Sequence, residues 1–201
     1  MPRECACVTD FALSERPAFF GAVLPTSAAL AASERTGLGI ATVTARRGRA
    51  GELAETVRAA FGVSLPSGPK AVRSGGLTFV GTGPGTWLAF QDGGGWRFAR
   101  DLAERLGPLA SVCDQSSGYG VLRVAGPKTR ATLAKGVPVD LHPAAFRPGD
   151  AAVTLASHVG IVLWQVDEEP TYDIAVFRSL AGSFADWLAA SAAEFTAVPG
   201  H

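Results

Sequence analysis

Cysteine and histidine are scarce in this 201-residue chain, with three of each. Cys5 and Cys7 are one residue apart, not the two of a metal knuckle or redox motif, and Cys113 is remote from both. The thiols therefore read as structural. His142 precedes a proline, His158 reads as part of an apolar strand and His201 ends the chain, so no metal-binding set is assigned. Charge of one sign is also lacking: 18 basic residues balance 18 acidic ones, and no net field draws the chain to nucleic acid or to an anionic membrane. No apolar run approaches the roughly 20 residues that span a bilayer. The opening "MPRECACVTDFALSERP" carries acids where a signal peptide would be apolar. Together these absences predict a soluble, cytoplasmic protein with neither a nucleic-acid nor a membrane partner.

What the chain does have is apolar content, 47% of its residues, and a length that suits two small halves packed into one compact domain. Residues 1–38 scatter Phe11, Leu13, Phe19, Phe20, Val23 and Leu24, with Pro17 and Pro25 among them, and show no lasting period. They read as an extended arm that takes its order from a partner, so that removing it would leave the rest folded. A first half, 39–116, then follows the order βαββαβ: strand 39–46, helix 51–62, loop to 75, strands 76–83 and 86–92, helix 96–107 and strand 108–116. A second half, 117–201, repeats the plan with strand 118–125 and helix 127–135. Residues 151–167 supply two strands bent near Gly160, followed by strand 172–178 and helix 179–195. The expected class is α+β, with two ferredoxin-like split βαβ halves packed together behind an N-terminal arm.

Each candidate site has a plainer structural reading. "GTGPGT" (81–86) offers phosphate-cradling glycines but runs into a strand, whereas a phosphate loop must open a helix; it reads as a hairpin turn. Gly126-Pro127 does open a helix, and Lys128 and Arg130 follow, yet a solvated basic face is the better account. Asp167, Glu168 and Glu169 read as a solvated turn, since paired carboxylates need burial or a partner to separate their roles. Asp140 and His142 lie between prolines with no nucleophile beside them and read as loop-ordering residues. Trp87, Trp96, Trp164 and Trp187 suit a core or a subunit interface better than cofactor stacking. No catalytic or cofactor-binding residue is assigned.

Several motifs carry a resemblance: S-G-Y-x-V-L-R-x-x-G-P, L-A-K-G-x-P-x-D-L-H-P-x-x-F-x-P-G, T-L-A-x-H and R-S-x-A-x-x-x-x-x-W-L, over about residues 114–188. In these the chain resembles the gamma subunits of heterotetrameric sarcosine oxidase. Residues 62–112 match loosely and the arm least. The resemblance implies a fold related to the folate-binding aminomethyltransferases of the T-protein type. It also implies alpha, beta and delta partner subunits, chiefly alpha. Those partners would hold FAD, FMN, NAD, tetrahydrofolate and zinc while sarcosine is oxidatively demethylated to glycine and oxygen becomes peroxide. Aminomethyltransferases carry a key aspartate on the strand equivalent to about 158–166, where this chain reads "HVGIVLWQV" without an acid. That departure implies a non-catalytic assembly subunit. The alternatives are a small folate-binding aminomethyltransferase-like protein, or the equivalent subunit of a complex acting on another N-methyl amino acid.

Overall fold

A computed structural model of the chain describes residues 16–196. In chain order the elements are β1 (Ala31–Glu34), β2 (Gly39–Ala45), α1 (Ala50–Phe61), β3 (Ala71–Ser74), β4 (Leu77–Gly83), β5 (Thr86–Gln91), α2 (Phe98–Leu106) and β6 (Ala110–Asp114). They continue with β7 (Tyr119–Ala125), α3 (Thr129–Leu133), β8 (Ala151–Ala156), β9 (Val159–Gln165), β10 (Tyr172–Phe177) and α4 (Ala181–Thr196). Helical spacing places Leu53 and Val57 of α1 on one buried face, and Phe98, Leu102 and Leu106 do the same for α2. Gly62 ends α1 in the left-handed conformation, its amide donating to the Arg58 carbonyl at 3.0 Å.

Two antiparallel five-stranded sheets result, ordered β3-β4-β5-β2-β6 and β1-β7-β10-β9-β8. In the first, β2, β4, β5 and β6 take the ferredoxin-like places, with β3 added at one edge. The second sheet repeats this arrangement through β7, β9, β10 and β1, with β8 at the matching edge. Its outer place, which β6 fills in the first sheet, is taken by a strand from the N-terminal segment. No strand follows α4 among the described residues, so β1 supplies the missing ladder by pairing Ala31–Glu34 with Leu122–Ala125 of β7.

Alternation explains how the layers stack. Along β5, Trp87 and Ala89 face the helices α1 and α2, while Leu88 and Phe90 face the other sheet. Along β10, Tyr172, Ile174 and Val176 meet the core under α4, while Ala175 faces the first sheet. The sheets thus pack face to face through Ile40, Val80, Phe90, Val121, Val162 and Trp164, with helices on both outer faces. Strands buried on both faces read as near-continuous apolar runs, as β9 and β10 do.

Four expectations need correction. The arm is not a free appendage beyond residue 15: Phe19 and Leu30 are buried in the core of the second sheet, with Phe19 edge-on to Phe184. Its missing period reflects irregular backbone, since separate anchors in an extended segment show no repeat. Residues 1–15, which include Cys5, Cys7, Phe11 and Leu13, lie outside the described residues, as does His201. The loop before residue 76 contains β3, an edge strand whose Arg73 and flanking Lys70 hide the alternation. The strands at 151–165 do not bend at Gly160. They turn at Ser157-His158, where Ser157 takes φ 56° and its amide donates to the Gly136 carbonyl at 2.7 Å. His158 consequently sits at an exposed turn and not in an apolar strand. The helix expected over 127–135 is confined to α3, because Gly126 at φ 122° first passes beneath the N-terminal segment, where a β-carbon would meet the Ala29 carbonyl.

Candidate functional site

The strand alternation that builds the inter-sheet layer also turns Asp173 of β10 and Arg123 of β7 into it, since they share faces with Ala175 and Val121. Asp173 is 1% exposed. Its carboxylate accepts from Arg123 Nε at 2.7 Å, from a terminal Arg123 nitrogen at 2.8 Å and from Arg35 at 2.8 Å. Arg35, immediately after β1, also pairs with Asp92 beyond β5, and Asp92 accepts from Arg73 of β3 at 2.6 Å. Five side chains from both sheets and the N-terminal segment thereby form one chain of alternating charge. Hydrogen bonding to Asp173 raises the Arg123 pKa against the opposing effect of burial.

Two clefts flank this chain of charges. One, of about 180 Å³, lies between the sheets and is lined by Arg73, Thr78, Trp164, Gln165 and Asp173. The other, of about 340 Å³, opens where the sheets part beside β1, with Arg35, Leu38, Tyr119, Val121 and Arg178 on its walls. Burial raises the Tyr119 pKa above its ordinary value.

The residues weighed from sequence are not brought together. Gly81–Thr86 spans the end of β4, the turn at Pro84-Gly85 and the start of β5, with the Thr82 hydroxyl donating to the Thr86 carbonyl at 3.3 Å. Lys128 lies over the Phe195 ring and Arg130 donates to the Tyr172 hydroxyl, so neither faces an open helix end. Asp167, Glu168 and Glu169 occupy the exposed turn between β9 and β10. Asp140 accepts the His142 amide at 2.9 Å, while the His142 ring accepts the Ala144 amide at 3.2 Å. Both groups order their own loop. Trp87 and Trp164 are buried and Trp187 packs beside Phe184, whereas Trp96 is 66% exposed under Arg97 and Arg100. Cys113 lies exposed on β6. Among the described residues, no three His, Cys, Asp or Glu side chains converge on a point that could hold a metal ion.

Sequence reading missed the Asp173 cluster. Its signals were a charge interrupting buried alternation in "YDIAVF" and another in "GVLRVA", but a strand pattern does not show that the two strands are neighbours.

A second ionic contact joins the sheet edges. Asp150 before β8 pairs with Lys70 before β3 and accepts the Arg147 amide at 2.9 Å. Burial alone would push the Asp150 carboxyl up, yet Lys70 and Arg147 together hold it below its ordinary value. A depressed folded pKa stabilises the fold above the unfolded carboxylate pKa, and that contribution is lost as pH falls through the folded value. The stability difference between the wild type and Asp150→Asn is therefore expected to be largest near neutrality. Denaturant titrations at successive pH values should show it shrinking as pH falls through and below the ordinary carboxylate range. A constant difference would show that the Asp150 charge contributes nothing.

Comparison with known proteins agrees with this architecture. The family model "Sarcosine oxidase, gamma subunit family" matches residues 47–194. The chain is 32% identical over 127 residues to a sarcosine oxidase subunit gamma from Arthrobacter sp, a match covering 62% of either chain and so less than two thirds of that relative. It is 32% identical over 143 residues to the subunit gamma from Corynebacterium sp. (strain P-1), covering 70% of either chain. Among solved structures it superposes on a chain of heterotetrameric sarcosine oxidase from Corynebacterium sp. U-96 with a TM-score of 0.75 at 23% identity, over 89% of this chain and 91% of that one. The glycine cleavage system aminomethyltransferase T of Bartonella henselae gives a TM-score of 0.56 at 13% identity, over 82% of this chain and 46% of that one. These two superpositions speak to fold alone, and the T-protein match leaves more than half of that enzyme without a counterpart here. With the family model covering most of its length, this chain belongs to the sarcosine oxidase gamma subunit family.

Proposed function

We infer that this chain is the non-catalytic gamma subunit of a cytoplasmic heterotetrameric sarcosine oxidase. It braces alpha, beta and delta subunits, chiefly alpha, in a complex that oxidatively demethylates sarcosine to glycine. That complex passes the one-carbon unit to tetrahydrofolate and forms hydrogen peroxide. FAD, FMN, NAD, tetrahydrofolate and zinc are held by the other subunits. Family membership supports the setting.

The non-catalytic role rests on Asp173. A folate amine needs an open acceptor, and β9 has no acid to provide one. Asp173, on the neighbouring strand and paired in register with Trp164, has both oxygens occupied by the guanidinium groups of Arg35 and Arg123. The residues present therefore do not fit a folate site of that kind.

Co-expression of the full chain with alpha, beta and delta subunits tests this reading. The four are expected to co-elute at equal stoichiometry. The purified chain alone is expected to show no flavin absorbance, no sarcosine-dependent peroxide formation and no heat of tetrahydrofolate binding. Micromolar folate affinity in the isolated chain, or an active complex assembling without it, would overturn the reading.

A further inference from the structure

The outer lip of the larger cleft has features that folding alone does not explain. Arg16 and Arg178 stand on it, and neither makes an ion pair among the described residues. Arg178 donates to the backbone carbonyls of Arg16 and Pro17, and the Arg16 guanidinium lies 4.1 Å from the centre of the Phe20 ring. Glu34 also lines the cleft but forms no ion pair with either of them. Its two oxygens accept the amides of Ala18 and Phe19 at 2.6 and 3.1 Å. The third guanidinium on the wall, Arg35, is committed to Asp92 and Asp173.

Exposed aromatic side chains lie beside these two arginines. Phe20, under the Arg16 guanidinium, is 64% exposed, and Phe177, next to Arg178 in the chain, is 48% exposed. The Phe177 ring stacks on that of Tyr119, with ring centres 4.6 Å apart. Exposed aromatic rings beside arginines that make no ion pair among the described residues have the composition of an interface hot spot, and a carboxylate is the group that a guanidinium fork matches.

Resting on the subunit reading above, we propose that this lip docks an acidic, extended segment of a partner subunit, with Arg16 and Arg178 taking its carboxylates and Phe20 and Phe177 its apolar side chains. The charge chooses this occupant. A second copy of the chain would bring the same two arginines to the contact, and like charges there oppose association.

The test is the double variant Arg16→Glu/Arg178→Glu in the co-expressed complex. Because Arg178 also tethers the backbone at residues 16–17, a second variant, Arg16→Glu/Phe20→Ser, leaves that tether intact. Both are expected to weaken association with the partner subunits about tenfold or more and to flatten its salt dependence. Melting of each variant chain alone is expected to stay cooperative for Arg16→Glu/Phe20→Ser. Co-elution of both variants at full stoichiometry, with wild-type salt dependence, would overturn this proposal and leave the subunit reading standing. A wild-type chain that self-associates through the patch, becoming monomeric in the variants, would overturn it in favour of a second copy. Failure of the wild-type chain to co-elute would overturn both readings together.

Discussion

A chain beginning at Gly37 is expected to lose its cooperative unfolding transition. The truncation removes β1 and so strips β7 of the ladder from Ala31↔Ala125 to Glu34↔Leu122, leaving an open edge on a strand buried on both faces. It also removes Leu30 and Phe19 from the core shared with Leu122, Val124, Ile174 and Phe184. Core truncations of Leu and Phe to Ala each cost about 2–5 kcal/mol, so losing both approaches the roughly 5–15 kcal/mol that holds a whole domain folded. Calorimetric melting checks it, with Leu30→Ala and Phe19→Ala as graded comparisons that should each lower Tm. A truncated chain that still melts cooperatively within a few degrees of the full chain would show that β1 is an accessory to the second sheet.

Removing the Asp173 carboxylate should be the most damaging single change in the charged chain. In Asp173→Ala, Arg123 loses both of its bonds to the sheet interior and Arg35, 14% exposed, keeps only its contact with Asp92. Unpairing one side of a buried ion pair costs about 3–5 kcal/mol, because the remaining charge stays desolvated. For a chain of this size, that corresponds to a fall in Tm of about 6–20 °C. Arg73→Ala provides the contrast. Its pair with Asp92 is 45% and 40% exposed, and such surface pairs contribute about 1 kcal/mol or less. Equal losses from the two variants, read from denaturant melts at the same ionic strength, would mean that burial does not set the worth of these pairs. Salt should separate them as well, since exposed pairs are screened and buried ones are far less so.

Local periodicity by itself determined most of the elements of this protein. The short apolar runs in "TWLAFQ" and "YDIAVF", the helical spacing of Leu53 with Val57, and the glycine stop at Gly62 all act over a few residues and need no distant partner. The family motifs at β7 and α4 were legible for the same reason, being contiguous in the chain. What only tertiary structure decided is non-local. β1 is a strand because β7, far along the chain, offers it an edge, not because "AASE" has a strand pattern of its own. Ser157 turns the β8–β9 hairpin because Gly136 holds its amide, while the nearby Gly160 gave the misleading turn signal. Asp173, Arg123 and Arg35 come together across separations of 50 and 138 residues, through strand order that no short-range pattern encodes. Burial of a charge becomes favourable only once its partners arrive, and those partners are placed by the fold as a whole.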